Sequence, residues 1–151
     1  QDYLQRFVTS DVTVFSLLRP YDEIEIVRQF VQFPQYFGLF SSCNRNFSIS
    51  MSVPAREGKA YWCGVCPKCA FVFALLAAFL PKDQVVGIVG KNLYADASLL
   101  PLYRALLGLK DVKPFECVGT PEEVTLAMRK AQERGEYRDD PVMRSFVYEN
   151  F

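Results

Sequence analysis

Apolar and polar positions change rhythm several times along the chain, and each change predicts an element. Val12-Thr-Val-Phe-Ser-Leu-Leu18 is β-branched and apolar, which predicts a strand ending at Arg19-Pro20. From Tyr21 to about Phe33 the apolar residues Ile24, Val27, Phe30 and Val31 fall at helical spacing. Asp22 and Glu23 set negative charge in that helix's first turn, where the dipole favours it, and Pro34 closes it. Residues 35–62 hold no sustained period but carry two clusters of turn formers, Ser41–Asn46 and Pro54–Gly58, so they read as loop with short strands. The run Ala70-Phe-Val-Phe-Ala-Leu-Leu-Ala-Ala-Phe-Leu80 predicts a buried helix over about Pro67–Leu80, stopped by Pro81. Gln84–Val89 reads as a short strand, and Ala97–Leu107 as a helix ending at Gly108. Thr120-Pro-Glu-Glu123 holds an N-cap, a proline at the first helical position and the acidic half of a capping box, predicting a helix from about Pro121 to Arg134 with Gly135 past its end. Asp140–Asn150 predicts one more helix. The sum is a mixed α/β fold, helix-rich after residue 66, in a single domain over residues 1–151 without repeats or linkers.

Half of the 151 residues are apolar, enough for a compact core. Lys plus Arg (17) balance Asp plus Glu (17) with no long run of one sign, which gives no electrostatic footprint for nucleic acid or an anionic membrane. The longest apolar run falls well short of the roughly 20 residues a membrane helix requires. Gln1 opens the chain without an initiator Met or the features of a secretory signal, so we expect a piece of a longer protein in the cytoplasm.

The cysteines change the picture most. Three of the five crowd into seven residues, a spacing that suits metal binding in a reducing compartment better than a disulfide framework. In Cys63-x2-Cys66-x2-Cys69 the turns between cysteines aim their sulfurs inward, and a tetrahedral ion needs one more ligand. With no His in the chain the choice lies among Cys43, Cys117 and a carboxylate. Cys43 is preferred because Ser-Ser-Cys-Asn is a turn-forming context able to fold back over the cluster. Pro67 suits the first helical position, placing Cys66 at the N-cap with free backbone N–H groups aimed at the thiolates, and Lys68 would offset part of their charge. Structural zinc is the expected ion, with a [4Fe–4S] centre as its rival. Four thiolates leave no open position on zinc, so chemistry must come from elsewhere.

Lys113-Pro-Phe-Glu-Cys117-Val-Gly-Thr120 brings a Lys, Glu116 and a thiol together just before a predicted helix N-terminus, where anions bind and thiol pKa values fall. On pattern alone it reads first as an ordinary strand-to-helix connection with a half-buried Cys117, ahead of a substrate-contacting loop. Arg45 can present its guanidinium fork to phosphate or carboxylate beside the cysteines, or can simply be solvated. Phe33, Tyr36, Phe37 and Phe40 are either a binding groove or core. Gly87-x-x-Gly90 followed by Lys91 lacks the spacing of a phosphate loop.

Taken together, Ser41-Ser-Cys-Asn-Arg-Asn, Trp62-Cys-Gly-Val-Cys-Pro-Lys-Cys-Ala-Phe-Val-Phe and Lys113-Pro-Phe-Glu-Cys-Val-Gly-Thr resemble the C-terminal part of bacterial UDP-N-acetylmuramoyl-L-alanyl-L-glutamate epimerases, over about Leu17 to Lys130. The turn cysteine followed by Cys-Gly-x-Cys-x-x-Cys is also similar to the zinc site of the PP-loop cyano-deazaguanine synthases. Arg19-Pro-Tyr-Asp-Glu-Ile-Glu-Ile-Val before Ser42-Cys43 is similar to the strand, helix and cysteine order of that family. The epimerase resemblance implies inversion of the terminal L-Glu of UDP-MurNAc-L-Ala-L-Glu, a nucleotide-sugar peptide of peptidoglycan synthesis, with ATP and Mg2+ consumed and AMP and pyrophosphate released. The Ser-Gly-Gly-x-Asp-Ser phosphate loop expected of PP-loop enzymes is absent from these residues, so ATP binding is expected to depend on the rest of the enzyme, N-terminal to this chain. Arg45 and Lys113 are the expected anion contacts, and Glu116 or Cys117 the groups near the reacting centre. Two other readings stand beside this one: a non-catalytic zinc-binding interaction module, and an RNA-modifying PP-loop relative, which the zero net charge disfavours.

Overall fold

In a computed structural model of the chain, residues 2–47, 62–110, 114 and 117–150 are described. They form seven α-helices, α1 (Asp2–Phe7), α2 (Glu23–Phe30), α3 (Pro67–Ala77), α4 (Lys82–Val89), α5 (Leu100–Leu106), α6 (Pro121–Arg134) and α7 (Pro141–Asn150), joined by short 3-10 turns.

The apolar run of the sequence becomes the axle of the fold. Every residue of α3 from Cys69 to Ala77 is buried, and α2, α4, α5 and α6 pack around it. A helix apolar on all sides has to be enclosed in this way, and each fully buried Phe or Leu contributes about 1.5–3 kcal/mol relative to exposure. α7 closes the far side against α5 and α6. Where α3 meets these helices, Phe73, Tyr94 and Tyr137 pack edge to face with ring centroids 5.0–6.0 Å apart, and the Tyr103 hydroxyl donates to the Ala70 carbonyl at 3.3 Å.

The capping box appears in full: Thr120 Oγ1 accepts the Glu123 N–H, Glu123 returns a carboxylate oxygen to the Thr120 N–H at 2.8 Å, and Gly135 ends α6 in the left-handed conformation (φ +78°). The predicted helices at 21–33, 67–80, 97–107, 121–134 and 140–150 are all present. Their ends differ slightly, and the first turn of the third is 3-10 (Ala97–Leu99).

Both predicted strands require correction, and with them the mixed α/β class: among the described residues there is no strand, and the fold is helical. Gln84–Val89 lies within α4, where Val85 and Val89, one turn apart, are the buried pair. Pro81 at the N-cap and Asp83 in the first turn favour the helix over the β-branched propensity of Val85 and Val86. Residues 12–16 have no regular secondary structure and 17–20 form a turn, with Phe15, Leu17 and Leu18 facing solvent. β-propensity reports the fit to a half-buried pleated surface, and these side chains are not buried against one. Of the loop with short strands expected over 35–62, the described part holds 3-10 turns at Pro34–Tyr36 and Asn44–Phe47, and residues 48–61 lie outside the described residues.

Candidate metal centre

Two segments meet to form the cysteine site, and local chemistry shapes each. Pro67 starts α3 with its preset φ, which leaves Cys66 as N-cap, its sulfur accepting the Cys69 N–H at 3.4 Å. Cys69 follows one turn later on the same side of the helix. Upstream, Gly64 takes a left-handed conformation (φ +66°) that turns the chain back between Cys63 and Cys66. A Cβ at that position would strike the Lys91 side chain and crowd Leu93. The second segment supplies Cys43, fully buried just before the 3-10 turn, whose sulfur accepts the Cys63 N–H at 3.4 Å.

The sulfurs of Cys43, Cys63, Cys66 and Cys69 all lie within 4.8 Å of one another, close enough to share one metal ion. Cys63 and Cys69 are 3.8 Å apart, and Cys66 and Cys69 3.4 Å. Backbone N–H groups surround them. Val65 donates to Cys63 at 3.5 Å, and Asn44, Gly64 and Cys66 add hydrogen bonds to Cys66, Cys69 and Cys63 respectively. Hydrogen bonding with the Cys69 side chain, followed by the backbone N–H groups, holds the Cys66 thiol down at about 4 against its burial. That same contact, then burial, pushes Cys69 up, and burial raises Cys63. The N-terminus of α3 acts in the same downward direction on Cys66.

Lys68 does not turn to the sulfurs. Its ammonium lies 5.5 Å from the centre of the Phe71 ring and donates to the backbone carbonyl of Cys117, tying the segment before α6 to the first turn of α3. Cys117 is exposed. The N-terminus of α6 that follows is already served by the Thr120 and Glu123 side chains, which reduces what it offers to an external anion. Arg45 is exposed, two residues beyond Cys43. Lys113 and Glu116 lie outside the described residues.

Sequence spacing located the four cysteines, and the N-cap position of Cys66 foretold the helix N–H that meets its sulfur; the N–H groups of Cys63 and Val65, which depend on the path of the loop, it did not find. Nor did it find the Lys68 tether, since its acceptor lies 49 positions away and is a backbone atom with no side-chain signature. Among the described residues no helix is long and apolar enough to cross a membrane.

The MurL C-terminal domain family model matches residues 39–150. Among curated proteins, the chain is 47% identical over 97% of its length to the UDP-N-acetyl-alpha-D-muramoyl-L-alanyl-L-glutamate epimerase of Xanthomonas oryzae pv. oryzae (strain MAFF 311018), covering 32% of that protein. It is 44% identical over 88% of its length to the epimerase of the same name from Micromonospora sp. (strain ATCC 39149 / NRRL 15099 / SCC 1413), covering 28% of it. The chain thus spans about a third of the length of these relatives. No solved structure matches. With the match spanning most of the sequence and containing all four clustered cysteines, the chain belongs to the MurL C-terminal domain family.

Proposed function

We propose that this chain is the zinc-stabilised C-terminal part of an ATP-dependent epimerase that converts the terminal L-Glu of UDP-MurNAc-L-Ala-L-Glu to D-Glu. The observation that carries the reading is the 47% identity, over nearly the whole chain, to a protein named for that activity.

The donor set supports zinc. Four thiolates about 2.3 Å from a tetrahedral zinc stand roughly 3.8 Å from one another, and the cysteine sulfurs, all within 4.8 Å, need little adjustment to reach that arrangement. An iron–sulfur cube places four irons and four sulfides between its thiolates and holds them farther apart than a single ion does, so the compact cluster favours zinc over [4Fe–4S]. Bound there, zinc would be structural, fixing the loop before α3 to the segment around Cys43. ATP and Mg2+ would act in the PP-loop-like remainder of the enzyme, in the cytoplasm where the nucleotide-sugar precursor is made.

The chemistry is coherent for an amino-acid α-carbon. Adenylation of the α-carboxylate releases pyrophosphate and removes the negative charge beside the Cα–H, which becomes far more acidic. A modest base then takes that proton, a proton returned to the opposite face gives the D-epimer, and water releases AMP and the free carboxylate. In this chain Cys117 is the base or acyl acceptor under test, with Glu116 beside it, and Arg45 and Lys113 are anion contacts for the substrate. The Lys68 tether supports a positioning role: it holds the Cys117 backbone against the first turn of the helix that the cysteine knot caps.

The test is direct. Full-length enzyme is incubated with UDP-MurNAc-L-Ala-L-Glu, ATP and Mg2+, the product is hydrolysed, and its glutamate is resolved on a chiral column. D-Glu formed with stoichiometric AMP and pyrophosphate is expected. L-Glu alone, at enzyme concentrations where ATP is consumed, overturns the reading.

A further inference from the structure

Exposed apolar side chains are distributed unevenly over the described surface. Phe15 is 75% and Leu17 76% exposed, and Tyr3, Phe7, Leu18 and Tyr21 are each more than half exposed. Helix α1 buries no residue at all, and no charge interrupts Val12–Leu18. A contiguous stretch of this kind marks a surface that meets something other than water.

Two observations say what covers it. The match to the family's C-terminal domain begins at residue 39, so the whole stretch lies ahead of the matched residues. Yet the Xanthomonas relative aligns over 97% of this chain while only 32% of its own length is used, so the stretch also belongs to a polypeptide with much more sequence to pack. The stretch is not a loose tail in relation to the core. It runs into α2, whose Ile24 is buried and whose first turn is fixed by a hydrogen bond from the Glu23 N–H to Glu123 of α6 at 2.7 Å.

We propose that residues 3–21, the stretch that leads into the C-terminal domain, pack against the preceding domain of the same polypeptide, the occupant being an apolar face of that domain. The inference rests on that part of the proposed function which makes this chain one portion of a longer polypeptide, and not on the reaction. Because the contact runs through Phe15, Leu17 and Leu18, it links the preceding domain to α2 and, through Glu123, to the segment that carries Cys117.

The experiment uses the full-length enzyme with Phe15→p-benzoylphenylalanine, irradiated and digested, with the adduct identified by mass spectrometry. An adduct to a peptide outside residues 1–151 of the same polypeptide is expected. An adduct to residues 48–61, an adduct to a second copy, or no adduct overturns the proposal. Should that variant not fold, hydrogen exchange on the unmodified enzyme decides. Amides of residues 12–18 slowed about tenfold or more relative to a free peptide, and released by the Phe15→Asp/Leu17→Asp pair, support the contact, whereas free-peptide exchange sinks it. Both readouts are independent of turnover, so an enzyme that cross-links as expected but forms no D-Glu loses the epimerase reading and keeps this one.

Discussion

The carboxylate of Glu123 accepts the backbone N–H of Glu23 at 2.7 Å while its other oxygen accepts the N–H of Thr120, so one side chain caps two helices that start 98 residues apart (121 − 23 = 98). Asp22, at the N-cap position of α2, makes no side-chain capping bond, and Glu123 serves that helix in its place. Glu123→Ala therefore removes a capping-box half and a long-range tether together. The expected loss is about 1–2 kcal/mol, read as a lower denaturant midpoint with metal content unchanged. Glu123→Gln keeps one acceptor and is expected to lose less.

Gly64 holds the turn between Cys63 and Cys66 at φ +66°, a conformation in which side chains other than glycine are strained, and the Lys91 side chain fills the space a Cβ would take. Gly64→Ala is expected to destabilise the chain by about 1–2 kcal/mol and to weaken metal retention against a competing chelator. Lys91→Ala relieves only the contact and not the backbone strain. The double variant is therefore expected to recover part of the loss, and full recovery would show that the dihedral angle is unstrained.

The metal itself is tested by composition. The purified enzyme is expected to carry about one zinc per chain, to lose it in Cys43→Ser and Cys63→Ala, and to keep it in Cys117→Ser. Four irons per chain with broad visible absorption would replace zinc by a cluster and remove the compact-geometry argument.

Much of this architecture is legible in the sequence because its signals are local. Proline at the start of α3, the Thr120–Glu123 box and Gly135 each act within one or two turns and appear in the structure as read, and the cysteine spacing brings its sulfurs together. What escaped is decided by distant partners. Val85 and Val86 look like strand residues until one sees that Val85 and Val89 share a face against the core, and short apolar runs do not separate the two periods. Val12–Leu18 has strand composition but no strand in the described structure, because that preference depends on a packing surface these residues do not meet within it. The Lys68 and Glu123 tethers join residues 49 and 100 positions apart, beyond any periodicity.

Glu136 gives the pH dependence a sign. Its carboxylate accepts the Lys82 N–H at the start of α4 at 2.7 Å and pairs with Arg134 at 2.7 Å, and these contacts, the backbone one foremost, hold its pKa below the ordinary value. A depressed folded pKa stabilises above the unfolded value, about 4.3, and the contribution is lost as pH falls below that value through the folded one. Denaturant midpoints of wild type and Glu136→Gln are therefore expected to differ by a constant amount above about pH 5.5 and to converge in acid. A gap that widens toward low pH contradicts the assignment.

Cys117 and Lys68 separate chemistry from positioning. If the Cys117 thiol reacts, Cys117→Ser in the full-length enzyme is expected to lower kcat by about 10²-fold or more with KM and zinc content little changed, the scale of a lost acid–base or nucleophilic group. Lys68 donates to a backbone carbonyl that this substitution leaves in place, so Lys68→Met acts only through the placement of the segment. Its expected signature is a smaller loss of kcat together with faster amide exchange around residues 117–119, again with zinc retained. Normal epimerisation by both Cys117→Ser and Glu116→Gln would move the reacting groups out of this segment and leave the cysteine knot as the chain's structural contribution to the enzyme. Loss in Cys117→Ser alone would single out the thiol, since the carboxamide of Glu116→Gln can still orient substrate but can no longer take a proton.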